Sequence, residues 1–289
     1  MFMEEKINKA KVLVEAIPYI QKFRGKTVVV KYGGSAMIDE KIKKMMIEDI
    51  ALFRLIGINV VLVHGGGPFI NETLDRMNKV PEFKNGLRVT DSETMEIVEM
   101  VLSGKVNKSI VNDIQKLGLK AVGVSGKDGM TLKAEKLMKD NVDLGYVGRI
   151  TDVDPSLIDG LVNAGVIPVI APIGRDEEGN TYNVNADYAA VAIASELNAL
   201  KLVFVTDVRG VMKDIDDPNS LISYMNIEQA KENIENGIIY GGMIPKVECC
   251  ISAVEDGVKT VHIIDGNLDH SMLLEIFTQD GIGTMFGRE

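Results

Sequence analysis

Two strand-to-helix turns in this sequence are built of glycine: Lys31-Tyr32-Gly33-Gly34-Ser35 and His64-Gly65-Gly66-Gly67-Pro68. Glycine there lets backbone N–H groups approach an anion closely, and the positive end of the following helix adds to the attraction. Phosphate or carboxylate is the natural guest. One such turn reads equally as a tight bend; two on neighbouring strands point to a ligand. Lys31 closes the first run with its ammonium at the turn, although a strand-end lysine is often merely solvated. Lys246 follows Gly241-Gly242-Met243-Ile244-Pro245 and opens a helical stretch expected over Val247 to Glu255. A cation at a helix N-terminus opposes the macrodipole, and a bound anion would explain it. Asp187, in the run Asn183-Val-Asn185-Ala-Asp187, is either the N-cap of a helix over Tyr188 to Leu197 or a partner for cations. Asn183 and Asn185, two apart on an extended segment, point the same way and can hydrogen-bond a ligand. Arg88 follows an expected Asn85-Gly86 turn, as an exposed hairpin arginine or a bidentate carboxylate clamp. Thr206-Asp207 ends another strand and is placed to border a nucleotide base.

Familiar alternatives fail on spacing. The three histidines, His64, His262 and His270, show no HExxH pattern, and the only cysteines, Cys249 and Cys250, are adjacent, so no zinc site or disulfide framework is expected. Gly65-x-Gly67 is followed three residues on by Ile70, and Gly281-x-Gly283 by Phe286, so the dinucleotide fingerprint is absent. The G-K-T run at Gly25 has Ile20 where a P-loop needs its first glycine.

The elements that must carry these residues alternate. Strands are expected over Thr27 to Lys31, Asn59 to His64, Lys120 to Val124, Val166 to Ala171, Lys201 to Thr206 and Thr260 to Ile264, with helices over Glu40 to Leu55 and from about Ile70. Near-continuous apolar strands imply a mostly parallel sheet covered on both faces, hence an α/β fold. Thr131 to Asp154 alternates instead and reads as antiparallel hairpins beside that sheet. Residues 25–173 and 174–289 are expected to form two lobes on one continuous sheet. Before them, residues 1–24 carry a helical stripe of Ile7, Ala10, Val14, Ile17 and Ile20 that Pro18 should kink. That helix either lies on its own domain or joins another subunit. With 32 Lys plus Arg against 42 Asp plus Glu, the net charge is −10, and no basic run marks a nucleic-acid partner. No segment reaches 18 apolar residues and no signal peptide is evident, so no membrane partner and a cytoplasmic location are expected.

With KYGGSAM from Lys31, VHGGGP from Val63, KNGLRVT from Lys84, NVNADYAA from Asn183, VTDVRGV from Val205 and GGMIPK from Gly241 in order, the chain resembles the amino acid kinase family from end to end. Within it, the resemblance is to the arginine-biosynthetic branch that phosphorylates N-acetyl-L-glutamate. It implies a three-layer αβα sandwich with a mostly parallel central sheet plus the kinked N-terminal helix. It also implies transfer of the γ-phosphoryl group of ATP, with Mg²⁺, onto the side-chain carboxylate of the acceptor. Lys31 and Lys246 would act on the phosphoryl group with Asp187 holding both. Gly66, Gly67, Arg88 and Asn183 would bind the acceptor, and Gly33, Gly34, Thr206, Asp207, Gly210 and Met243 the nucleotide. The C-terminal half would bind ATP. The chain also resembles the arginine-inhibited members, in which an interlaced N-terminal helix builds a homohexamer, a trimer of dimers. An arginine site would then fall on Tyr19, Lys201, His262, Glu275 and Gly281. Without the resemblance, Glu275 reads as part of a solvated helix face. A carboxylate acceptor is ionised at neutral pH and needs no general base, which suits a sequence poor in histidine. Other members of the family, glutamate 5-kinase and aspartokinase among them, and a non-catalytic arginine sensor stand as alternatives. The KNGLRVT and NVNAD segments favour the acetylglutamate branch, and two lysines at a phosphoryl position have no purpose in a pure sensor.

Overall fold

The computed structural model of the chain describes residues 2–84, 86–139, 142–217, 219–278 and 281–288. Its centre is an eight-stranded sheet. Across it run Tyr224–Asn226, Thr284–Gly287, Thr260–Asp265, Lys201–Thr206, Thr27–Tyr32, Asn59–His64, Ile167–Ala171 and Ala121–Ser125, in that spatial order. All neighbours are parallel except Thr260–Asp265 with Thr284–Gly287. Side chains alternate between two cores. Val28, Val30 and Tyr32 pack with Val60, Leu62, Val203 and Val205 on one face. Val29 packs with Val61, Val63, Leu202 and Phe204 on the other. Helices Glu40–Leu55, Gly67–Arg76, Asn107–Lys116 and Ser271–Phe277 cover the first face, and Ser156–Asn163, Ala186–Glu196, Ile227–Glu235 and Met243–Glu255 the second. Covering both faces is what hydrophobic strands of a parallel sheet require. Helix Glu40–Leu55 starts where Asp39 accepts from the Lys41 and Ile42 amides, an ordinary acidic N-cap.

The segment expected as antiparallel hairpins gives one such pair, Leu132–Lys139 with Val142–Val153, which closes into a small barrel with two strands from outside it, Ile173–Arg175 and Thr181–Val184, each paired to it in parallel. The expected kink also appears, with helix Phe2–Glu15 ending before Ala16 and helix Ile17–Phe23 carrying Pro18 in its first turn. Proline cannot donate back to the preceding turn, which breaks the ladder there. The second helix packs on the domain. Tyr19 meets Phe277 edge to face and Phe23 is buried, whereas Leu13 is 72% exposed and Val14 63%. No helix among the described residues is long and apolar enough to cross a membrane.

Candidate active site

Parity along the first strand decides where Lys31 points. Two residues after Val29, it projects from the face covered by helices Ala186–Glu196 and Met243–Glu255. Asp187 and Lys246 sit in the first turns of those helices, so all three converge at the carboxyl end of the sheet. Lys31 Nζ lies 2.7 Å from Asp187 Oδ1, and Lys246 Nζ 3.8 Å from Asp187 Oδ2. Burial pushes the Asp187 carboxyl up, but the Lys31 and Lys246 ammonium groups outweigh it and hold the group below the usual carboxylate range. Two cations around one anion leave an excess positive charge at the mouth of a cleft. A Cβ on Gly33 would stand 2.8 Å from Lys31 Nζ, so glycine there leaves the ammonium its place.

The local reasons differ in two respects from the sequence reading. Asn185, not Asp187, caps the helix, accepting from the Asp187 amide at 2.8 Å, and the helix begins at Ala186. That frees the Asp187 carboxylate for the lysines. Helix Met243–Glu255 begins four residues before Val247, taking in Pro245, because proline in a first turn loses no intrahelical bond. Lys246 therefore lies inside the first turns, with no acidic residue in the first turn of that helix.

Two clefts flank the trio. One, of 180 Å³, is lined by Gly65, Gly66, Gly67, Arg88, Asn183 and Asn185 together with apolar residues including Leu102 and Val147. Arg88 is 8% exposed, not the solvated hairpin arginine of the bland reading. Its guanidinium lies 4.7 Å from the Phe83 ring centroid, and Nη2 donates to Asn71 Oδ1 at 2.6 Å. Nη1 is buried with no hydrogen-bond partner among the described residues, a donor in want of an anion. Burial lowers the pKa of Arg88 from its ordinary value. Asn85 lies outside the described residues. Asn183 commits its amide nitrogen to Thr90 Oγ1 at 3.1 Å.

The other cleft, of 660 Å³, is bordered by residues 208–212, 238–243 and Lys246. Gly210 and Met243, expected at the nucleotide, line it together with Ile238, Ile239 and Tyr240, whose apolar types gave no chemical signal in the sequence. Thr206 does not line it: its buried hydroxyl accepts from the Val208 amide at 3.2 Å and donates to Ile264 O at 3.2 Å, shaping the loop. Asp207 is exposed beside it and lines neither cleft. Gly33 and Gly34 close the strand that carries Lys31, Gly34 with a left-handed φ of 72°, and line neither cleft.

The family model of the amino acid kinases matches residues 26–265. The chain belongs to the amino acid kinase family. It is 59% identical over 285 residues to the acetylglutamate kinase of Thermoanaerobacter pseudethanolicus, covering 99% of this chain and 95% of that one. Against the acetylglutamate kinase of Methanocaldococcus jannaschii identity is 52% over 298 residues, with 100% and 99% covered. Among solved structures it resembles N-acetylglutamate synthase from Neisseria gonorrhoeae complexed with coenzyme A and L-arginine, with TM-score 0.80 and 26% identity, over 97% of this chain and 65% of that one. Thus the amino acid kinase described here spans just under two thirds of the synthase's length. Carbamate kinase from Giardia lamblia bound to AMP-PNP, at TM-score 0.67 and 17% identity over 92% of this chain and 99% of that one, shares the fold. As a member of this family of kinases, the chain has ATP as a substrate.

In this amino acid kinase Lys201, His262 and Glu275, three of the residues expected to form an arginine site, come together and are buried, with Gly281 beside Glu275, whereas Tyr19 is half-buried against Phe277. Lys201 Nζ lies 2.6 Å from His262 Nε2, and His262 Nδ1 lies 2.5 Å from Glu275 Oε1. The other Glu275 oxygen accepts from the Ile282 and Gly283 amides at 2.7 and 3.0 Å. A Cβ on Gly281 would reach within 2.8 Å of that oxygen. Glu275 is 7% exposed, so the solvated-face reading is corrected. Its helix packs inward on Glu40–Leu55 and the Thr260–Asp265 strand. Burial lowers the Lys201 pKa to about 8.

Proposed function

We propose that this kinase transfers the γ-phosphoryl group of ATP to the side-chain carboxylate of N-acetyl-L-glutamate, giving the acyl phosphate and ADP. The observation that carries the reading is the convergence of Lys31 and Lys246 on Asp187 beside a glycine-lined cleft holding an unpaired Arg88 nitrogen. Sequence identity to the acetylglutamate kinases supports the choice of acceptor.

The acceptor carboxylate, with a pKa near about 4.3, arrives ionised, so the difficulty is charge and alignment rather than proton removal. Arg88 Nη1 pairs with the acceptor's other carboxylate, and the amides of Gly66 and Gly67 hold the reacting one. Residues 208–212 and 238–243 border the nucleotide, with Gly33 and Gly34 facing its phosphates. Lys31 and Lys246 approach the transferring group from the two lobes, residues 25–173 and 174–289, and neutralise charge that builds on its oxygens. Because an ammonium lacks the rigid fork of a guanidinium, Asp187 is needed to aim both. Among the described residues no cluster of three or more His, Cys, Asp or Glu side chains suits a metal ion, and Asp187 is already engaged. That donor set fits Mg²⁺ carried in on the nucleotide phosphates, where it would supply further neutralising charge.

Hydroxylamine trapping of the acyl phosphate, with N-acetylglutamate, glutamate and aspartate as rival acceptors, tests the reading. Product with N-acetylglutamate alone supports it; a preference for free glutamate or aspartate overturns it. The same assay with arginine tests feedback inhibition at Tyr19, Lys201, His262, Glu275 and Gly281. The arginine complex of the Neisseria synthase favours that regulation. The uncovered apolar side of helix Phe2–Glu15 favours an interlaced homohexamer acting in the cytoplasm. Deleting residues 1–24 should then abolish hexamers and weaken inhibition, as measured by light scattering and arginine titration; a truncated chain that stays hexameric refutes the assembly.

A further inference from the structure

His64 ends its strand on the face opposite Lys31 and is fully buried, with no part in the charge arrangement above. Its surroundings nevertheless fix its protonation atom by atom. Asn107, also fully buried, directs its amide nitrogen to Val169 O at 2.9 Å and to His64 Nε2 at 3.1 Å, while its oxygen accepts from Lys108 Nζ at 3.1 Å. The opposite amide orientation would set an oxygen against a carbonyl and is excluded. His64 Nε2 is therefore an acceptor, the ring proton sits on Nδ1, and Nδ1 donates to Gly65 O at 2.7 Å. Burial lowers the imidazole pKa to about 4, in keeping with a neutral ring.

A trans peptide is planar, with its C=O and N–H pointing in opposite directions. Anchoring Gly65 O to His64 thus aims the Gly66 N–H the other way, away from the imidazole. Two further features hold the same turn. Gly123 makes room for Asn107, since a Cβ there would lie 1.7 Å from Asn107 Oδ1. The π-helical segment Met100–Val106, which leads directly into Asn107, presses Leu102 so close to Gly66 that a Cβ on Gly66 would lie 2.4 Å from Leu102 Cδ2. A π segment inserts extra backbone per turn and often marks a functional site.

We propose that His64, held in its Nδ1–H tautomer by Asn107, is a positioning residue that fixes the Gly65–Gly66 peptide so that its N–H donates to the acceptor carboxylate. The proposal rests on the acceptor reading given above. The wild-type trapping assay therefore comes first: no product with N-acetylglutamate overturns that reading, while the tautomer stays measurable by itself. Nitrogen-15 NMR of the three imidazoles, with His64 assigned by its loss in His64→Asn, should show the Nδ1–H tautomer; an Nε2–H ring overturns the proposal. In kinetics, His64→Leu should raise KM for N-acetylglutamate about ten- to hundredfold, the loss expected for one charge-assisted hydrogen bond, and leave KM for ATP unchanged. His64→Asn, whose Nδ2 can replace Nδ1 as donor to Gly65 O, should recover most of that loss. A folded His64→Leu with wild-type KM for the acceptor, or an equal rise for both substrates, overturns it. Should the leucine variant fail to fold, His64→Asn and the tautomer measurement decide.

Discussion

The junction of Lys31, Asp187 and Lys246 and the cluster of Lys201, His262 and Glu275 use similar chemistry to opposite ends. At the junction two ammonium groups share one carboxylate, and Lys246 lines an open cleft. In the cluster one lysine meets one carboxylate through a neutral ring, and two backbone amides take the remaining oxygen. The first has positive charge in excess and somewhere to put an anion. In the second the donors and acceptors already pair with one another, with Lys201 9% exposed and His262 2%, so an arginine there would have to displace those partners. Charged residues near one another thus say little until the count of donors against acceptors and the access to solvent are known.

The contrast can be broken at three points. The largest effect belongs to the open site. Lys31→Ala or Lys246→Ala should lower kcat by about 10²- to 10³-fold, the range for removing one preorganised donor to transition-state charge, with little change in either KM. Steady-state kinetics in which turnover is retained would remove that lysine from the mechanism. Next, Glu275→Gln should destabilise the fold by about 3 kcal/mol, because the replacement amide cannot accept from His262 and two amides at once. Urea unfolding measures this, and an unchanged midpoint would mean that the closed network is ornamental. The smallest effect is pH-dependent. Lys201 has its pKa lowered by burial to about 8 from an ordinary 10.5, so between those values the unfolded chain holds a proton that the folded one has lost. Its contribution is complete above about 10.5 and is lost as pH falls through about 8. Relative to Lys201→Met, wild type should gain about 1–3 kcal/mol between pH 8 and 10.5. Parallel pH profiles for the two proteins would contradict the burial argument.

Much of this was legible in the sequence for identifiable reasons. Strands such as Asn59–His64 and Lys201–Thr206 have wholly apolar interiors closed by a polar residue at each end, so their bounds emerge directly. Helix Glu40–Leu55 announces itself by periodicity. Other features carried no such mark. Leu102, Val147 and Ile238 to Tyr240 line clefts with side chains that read as ordinary core. Pro245 looks like a helix breaker and is a first-turn residue. The choice of Asn185 over Asp187 as cap turned on a shift of two residues, since both types cap well. Nothing in the sequence of Met100–Val106 marks its π turn, because such a turn depends on what the segment packs against.

By itself, the sequence determined six of the eight strands of the central sheet, missing the short Tyr224–Asn226 and Thr284–Gly287, the glycine turns at two of their carboxyl ends and, through the two-residue alternation, that Lys31 shares a face with Val29. Only the tertiary structure decided which helices cover that face, and so that Asp187 and Lys246 meet Lys31 while Arg88 is left with an empty hand. It alone also turned Glu275 inward. Periodicity records which side of an element is apolar. Which distant element lies against that side follows from strand order and crossovers, and these are settled only when the whole sheet is assembled.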